Sequence, residues 1–222
     1  MLFFREPDDC FSLLTVLQMG QNYAGNTDGY VYIYAPNGTV DGKMNALALL
    51  RVPKNHILQR DRYEYFVAAN ADGTARWDAD IRARGVVHTF PRGWVNWAIG
   101  DPHGGHPYAW QPSVAYNRAL GVYMLFNWGI GVGANGDWFE KPSYLGFWTA
   151  PQPWGPWTQV HEETAWTPGG DTAARCYQPQ ISPKWIAADG KSFWMVWTDF
   201  QLVGDRRPYY AFNCQRVEIL TE

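Results

Sequence analysis

The sequence predicts an all-β protein, a β-propeller of four-stranded antiparallel blades with about three blades present. Three observations predict it. Aromatic residues make up 17% of the 222 residues, with 13 Trp, 13 Tyr and 11 Phe beside 22 Gly and 15 Pro. Short strands and frequent turns suit that mixture better than helices do. Next, Gln178-Pro-Gln-Ile181 answers Gln111-Pro-Ser-Val114, and Phe193-Trp-Met-Val-Trp197 answers Tyr123-Met-Leu-Phe126. These copies recur at about 70 residues, the scale of one four-stranded blade. Finally, Ser143 to Val160 reads as two strands around an aromatic corner. Pro151, Pro153, Gly155 and Pro156 forbid a helix there and force a tight return.

In chain order, the first unit takes strands at Phe11 to Gln18, Tyr30 to Tyr34, Leu47 to Val52 and Tyr63 to Val67. Turn-rich segments separate them, Gly25-Asn-Thr-Asp-Gly29 and Pro36-Asn-Gly-Thr39. Pro53 to Asp61 has room for a helical turn. A polar connection with Asp72-Gly73 and Arg82-Ala-Arg84 follows. The second unit takes Gln111 to Tyr116, Val122 to Asn127, Tyr144 to Thr149 and Trp157 to Val160, with a Gly-rich loop from Gly129 to Pro142. The third takes Gln178 to Ile181, Phe193 to Trp197, Tyr209 to Phe212 and Gln215 to Leu220. No composition break divides residues 1–222, so a single domain is expected. Propellers close with four to eight blades. Three therefore predict a piece of a larger ring, whose missing blades or a second chain cover the open edges.

Charged residues are 18% and net charge is −3, which gives no electrostatic footprint for nucleic acid. No apolar run is long enough to cross a membrane. Phe11 to Met19 is short and follows Glu6, Asp8 and Asp9, so it reads as a buried strand and not as a signal peptide. Cys10, Cys176 and Cys214 have no zinc spacing and read as buried free thiols. No phosphate loop and no Gly-x-Ser-x-Gly elbow is present. Asn37-Gly-Thr39 fits a glycosylation sequon and equally a hairpin turn; the turn is preferred.

Several segments together resemble a known family. They are Gln21-Asn-Tyr-Ala-Gly25 with Asp28-Gly-Tyr-Val-Tyr-Ile-Tyr34, and Leu50-Arg-Val-Pro-Lys54 with Ile57-Leu58 and Tyr63-Glu-Tyr-Phe66. Pro112-Ser-Val-Ala-Tyr-Asn117, Ala150-Pro-Gln-Pro-Trp-Gly-Pro-Trp157 and Pro183-Lys-Trp-Ile-Ala-Ala-Asp-Gly190 complete the set. From about Phe11 onward the chain resembles the bacterial domain-of-unknown-function family 4185, itself similar to five-bladed propeller glycoside hydrolases. The wider group includes endo-D-arabinanases, and family 43 arabinan and xylan hydrolases share the architecture. The resemblance implies a five-bladed fold, a carbohydrate partner and a secreted or cell-surface location. It also implies upstream sequence with early-blade acids, so the given sequence is expected to be a piece that starts after them. Related propellers hold a hydrated calcium in the channel; no metal or other cofactor is expected from the residues themselves.

A glycosidase needs two carboxyl groups across the scissile bond. In a propeller, the loops entering each innermost strand and those joining second to third strands build the functional face. They offer Asp8, Asp9, Asp101, Asp137, Glu140, Asp171, Asp199 and Asp205. Asp101, Asp171 and Asp199 flank inner or channel-facing strands and are the expected catalytic acids. Trp110 and Tyr177 stand at equivalent positions before Gln111 and Gln178, as stacking platforms for sugar rings or as blade-packing aromatics. Arg175 offers a planar fork to a carboxylate or hydroxyl, or a structural ion pair. His103 and His106 lie in a Gly-rich loop without a clear third ligand, which favours substrate hydrogen bonds over metal. Asp28 and Asp189 precede Gly and read as turn formers on the opposite face. The leading expectation is a hydrolase of a polysaccharide such as arabinan. A non-catalytic sugar-binding or truncated propeller comes second, and a scaffold for protein contacts third.

Overall fold

The structure is a computed structural model. It describes residues 10–11, 13–38, 45–90, 95–96, 106–107, 111–131, 133, 137–205 and 210–221, with the backbone alone at 95–96 and 106–107. Among these residues every regular element is a strand or a single 3-10 turn.

The first sheet holds β1 (Thr15–Val16), β2 (Tyr30–Pro36), β3 (Ala46–Pro53), β4 (Glu64–Ala69) and β5 (Ala75–Asp78), antiparallel in that order, with β6 (His88–Thr89) beside the start of β3. β7 (Val95–Asn96) and β8 (His106–Pro107) pair with each other. The second sheet is a four-stranded meander, β9 (Ser113–Asn117), β10 (Val122–Gly129), β11 (Ser143–Ala150) and β12 (Thr158–Trp166). The third holds β13 (Cys176–Ile186), β14 (Ser192–Asp199) and β15 (Ala211–Glu218).

Side chains alternate across each strand, and that period joins the sheets. On β10, Leu125 packs with Tyr32, Tyr34, Leu47 and Leu49 of the first sheet. Its neighbours Met124 and Phe126 point the other way, against Phe193, Met195 and Trp197 of the third. The middle sheet is thus apolar on both faces. Burying such residues contributes about 1.5–3 kcal/mol each, which makes these two layers the main source of stability.

Three buried polar side chains of the middle sheet fix its register against the third. Ser113 Oγ accepts from the Ile181 N–H at 2.9 Å, Asn117 Nδ2 donates to the Gly190 carbonyl at 2.8 Å, and Ser143 Oγ donates to the Cys176 carbonyl at 2.7 Å. A buried hydroxyl or amide is costly unless bonded, so these pairs select one alignment of the sheets.

The sheets meet at their first strands and splay at their last. Gln18 N–H donates to Val114 O at 2.9 Å and Tyr116 N–H donates to Gln18 O at 2.7 Å, a parallel bridge between the first two sheets. At the far edge, the second and third sheets separate around a gap of about 700 Å³ lined by Val160, Glu163, Gln215 and Val217. β12 is exposed along most of its length and carries His161, Glu162 and Glu163. Charge, and bulges in its pairing with β11, blunt it as an edge.

The aromatic corner works between sheets. Tyr34 Oη donates to the Pro153 carbonyl at 2.6 Å, and Trp154 Nε1 donates to the Gly73 carbonyl at 3.1 Å. Trp154 also meets Trp77 edge-on at 5.9 Å. The corner is therefore a clasp onto the first sheet.

Four expectations need correction. The first strand is only Thr15–Val16, because Phe11 sits at a φ of 60° outside extended geometry. The polar connection after β4 contains a further strand, β5, closed by the Asn70–Thr74 turn. The segments Tyr209–Phe212 and Gln215–Leu220 are not two strands: one uninterrupted strand, Ala211–Glu218, pairs with β14 throughout. Its pairing continues through Asn213 and Cys214, which face Trp197 and Val196 of β14. The third sheet therefore has three described strands. Lastly, Cys214 is exposed, while Cys10 and Cys176 are buried.

Candidate functional site

The loops at one end of the second and third sheets converge. They are the described parts of the loop from Ile130 to Pro142 (130–131, 133 and 137–142), Pro168 to Arg175 and Phe200 to Asp205. Pro168–Gly170 forms a 3-10 turn, and Asp171 follows it. Asp171 Oδ1 accepts from the Ala173 N–H at 2.9 Å, an Asx turn that leads the chain into β13. Asp199 closes β14 and is 8% exposed. Its Oδ1 accepts from the N–H groups of Arg175 and Gln201, each at 2.9 Å.

Gln201 brings the two acids together. Its Nε2 donates to Asp199 Oδ2 at 2.6 Å and reaches Asp171 Oδ2 at 3.4 Å. One nitrogen touching both oxygens limits their separation to about 6 Å. Asp171 is exposed, whereas Asp199 is held from three directions.

Arg175 is committed to backbone. Its Nε donates to Phe139 O, and Nη1 to Thr172 O and Ala174 O, all at 2.9 Å; Nη2 reaches Glu140 O at 3.4 Å. The planar fork thereby ties the Gly-rich loop to the segment before β13. Gly131 makes the neck of that loop. At its φ of 56°, an added Cβ would lie 2.2 Å from the Lys141 carbonyl.

An aromatic cluster lies beside the acids, with Phe139 and Phe200 buried within it. Phe139 stacks on Phe200 with centroids 4.6 Å apart and an interplanar angle of 12°. Tyr177 meets Trp128 at 4.9 Å and Phe200 at 5.0 Å. Tyr210, 72% exposed, stands edge-on to Phe200 at 4.6 Å. Burial raises the Tyr177 hydroxyl above its ordinary pKa. Burial, reinforced by Asp199, pushes the Cys176 thiol well up.

Gln178 Nε2 donates to Gln111 Oε1 across the join of the second and third sheets. Gln111, Phe139 and Gln178 all adopt left-handed backbone, with φ of 37°, 62° and 50°. Strain of that kind costs about 1–3 kcal/mol per residue and collects at functional sites.

The structure thus brings together Asp171, Asp199, Arg175, Tyr177 and, one residue on, Gln178 with Gln111. Asp101, His103 and Trp110 lie outside the described residues, as do Asp8 and Asp9; His106 is described only as backbone of β8. Asp137 and Asp205 are exposed on neighbouring loops. On the opposite face, Asp28 and Asp189 accept from the N–H groups of Tyr30 and Lys191, at 3.0 and 2.9 Å, as turn formers do. Among the described residues no group of three His, Cys, Asp or Glu side chains is placed to hold a metal ion. Sequence reasoning missed Gln201 and Phe139. A glutamine two residues after an acid is a weak signal, and Phe139 sits in a loop without period.

No family model matches the chain, and no curated protein matches it. Among solved structures it is similar to an exo-beta-1,3-galactanase from Phanerochaete chrysosporium, crystallised with beta-1,3-galactotriose. That likeness has a TM-score of 0.44 and 12% identity, over 84% of this chain and 32% of that one. It is also similar to the catalytic domain of a GH62 alpha-L-arabinofuranosidase from Coprinopsis cinerea. There the TM-score is 0.31 and the identity 12%, over 91% and 88% of the two chains. The chain spans about a third of the length of the galactanase.

Proposed function

We propose that the three sheets are blades of a propeller, five-bladed when closed, and that the protein hydrolyses glycosidic bonds of a polysaccharide such as arabinan. The observation that carries the proposal is Gln201 bridging Asp171 and Asp199. Carboxyl groups ~5–5.5 Å apart suit a retaining glycosidase, and ~6.5–9.5 Å suits an inverting one. A limit of about 6 Å favours retention. The resemblance to family 4185 and the exposed ring of Tyr210, which suits the C–H faces of sugars, support the substrate class.

In this reading Asp199, fixed by three N–H donors, is the nucleophile. It bonds to the anomeric carbon while exposed Asp171 gives its proton to the departing glycosidic oxygen. Asp171 then takes a proton from water, whose oxygen displaces Asp199 from the sugar.

Asp171→Asn and Asp199→Asn test the proposal. Asn keeps an oxygen for the backbone donors and loses the acid. Each variant should bind arabino-oligosaccharide and lose about 100-fold or more in cleavage rate. Unchanged cleavage in both overturns the assignment.

A second reading has one observation in its favour. Asp199 ties the turn after β14 through backbone N–H groups, which is a structural use of a carboxylate. A sugar-binding propeller without catalysis needs no more. Oligosaccharide binding by the unaltered protein with no cleavage of arabinan, xylan or galactan selects it.

A further inference from the structure

At the end of the sheets opposite the two acids, three connections enclose a depression of about 750 Å³. The segment Gly20 to Gly25 forms one wall, the β9–β10 turn at Asn117 to Ala119 the second, and Pro183 to Ala188 the third. The walls are tied together. Asn117 Nδ2 holds the Gly190 carbonyl at 2.8 Å, and beside the first wall Tyr116 N–H donates to Gln18 O at 2.7 Å. Gly190 has a φ of 74°, and an added Cβ there would lie 2.5 Å from Asn117 Oδ1. Close backbone approach of this kind holds the depression open before any ligand arrives.

Its lining has a distinct chemistry. Arg118 and Lys184 both line it, and no acidic residue does. Both cations are exposed. Neither has an ion-pair partner among the described residues, and the chain as a whole carries a net charge of −3. Asp189 lies in the adjoining turn, where its carboxylate accepts from the Lys191 N–H at 2.9 Å. Half-buried Tyr116 is backed by Tyr123 at 4.7 Å, and Gln21 and Asn22 bring side-chain amides. Two cations for an anion, a ring face for C–H groups and amides for hydroxyls describe a site for a charged sugar.

We propose that this depression binds a small anionic sugar, a uronate or a sugar phosphate, with Arg118 and Lys184 meeting the charge and Tyr116 the ring. The site is separate from the loops around Asp171 and Asp199, and its occupancy does not depend on the carboxylate pair.

Calorimetric titration of the full chain at low salt tests it, with galacturonate, galactose 6-phosphate and galactose as probes. At least one charged sugar should bind about tenfold or more tighter than galactose, and its identity names the anionic group. The Arg118→Ala, Lys184→Ala double variant should lose that preference, with an unchanged circular dichroism spectrum. Asp171→Asn should keep it. Absence of binding, equal binding of galactose, or full binding by the double variant would overturn the proposal.

Discussion

The side-chain amide of Gln178 donates to the side-chain oxygen of Gln111, 67 residues earlier in the chain. The two occupy the same position in successive sheets, each before a proline and each in left-handed backbone. A repeated residue thus meets its own copy where the sheets join. The pairing explains why glutamine stands in a conformation that glycine tolerates better.

Gln178→Gly loses the bond, worth about 1 kcal/mol, and relieves backbone strain of similar size. Gln178→Ala loses the bond and keeps the strain. Urea unfolding should find the Gly variant within about 0.5 kcal/mol of the parent and the Ala variant about 1 kcal/mol less stable. An Ala variant as stable as the parent would show that the amide pair does not hold the join, and an Ala variant more stable than the Gly variant would show that the backbone there is not strained.

Arg175 joins two loops through four carbonyls, so its loss should act on both stability and binding. Arg175→Met should lower unfolding free energy by about 2 kcal/mol, since hydrogen bonds from a charged donor contribute ~1.5–3 kcal/mol in favourable settings. Sugar affinity should fall with it, because the Phe139–Phe200 stack that backs Tyr210 loosens. Arg175→Lys should behave like Met, as an ammonium cannot span the same carbonyls. Full affinity in both variants contradicts the clamp.

His88 gives a pH signature. Burial against Phe90, 4.8 Å away, and Trp148, 5.7 Å away, lowers its pKa to about 4 from an ordinary 6.5. A lowered folded-state value means that the unfolded chain binds the proton first. Stability is therefore intact above pH 6.5 and declines as pH falls from 6.5 to about 4. Allowing for the ring's partial exposure, the loss is on the order of 1–3 kcal/mol. Thermal unfolding across that range should show a shallower decline in His88→Leu than in the parent. Parallel curves would mean that another group sets the dependence.

The thiols should separate by reactivity. Cys214 is exposed on β15. Cys10 is buried with Sγ 3.4 Å from the Pro36 carbonyl, and burial holds Cys176 as a thiol. A thiol reagent at pH 8 should modify one cysteine quickly in the native protein and three after denaturation. Cys214→Ser should abolish the fast phase. Rapid reaction of two thiols would place Cys176 or Cys10 nearer the surface than the fold has them.

Much of the middle of the chain was legible because its strands alternate. Tyr123 to Phe126 carries large residues on both faces, as a sheet covered on both sides requires, while Phe193, Met195 and Trp197 bury one face of β14 and leave Trp194 exposed on the other. The edges were less legible. β1 and β5 are too short for a period, and Ala211–Glu218 alternates without contrast because its outer face is bare. The strand order also placed Asp171, in the loop before β13, and Asp199, at the end of β14, at one end of the sheets. Gln201 and the carbonyls around Arg175 were not legible, because a contact made by backbone or by one amide leaves no trace in composition. The inter-sheet bonds of Ser113, Asn117 and Ser143 were hidden for the same reason.

The most direct measurement is where an arabino-oligosaccharide binds, read from a crystal of the Asp171→Asn variant soaked with it. The ligand should lie against the exposed ring of Tyr210, with its scissile oxygen facing position 171 and its anomeric carbon facing Asp199. An oligosaccharide found on the outer face of β14 and β15, or in none of the loops at this end, would contradict the assignment of the carboxylate pair.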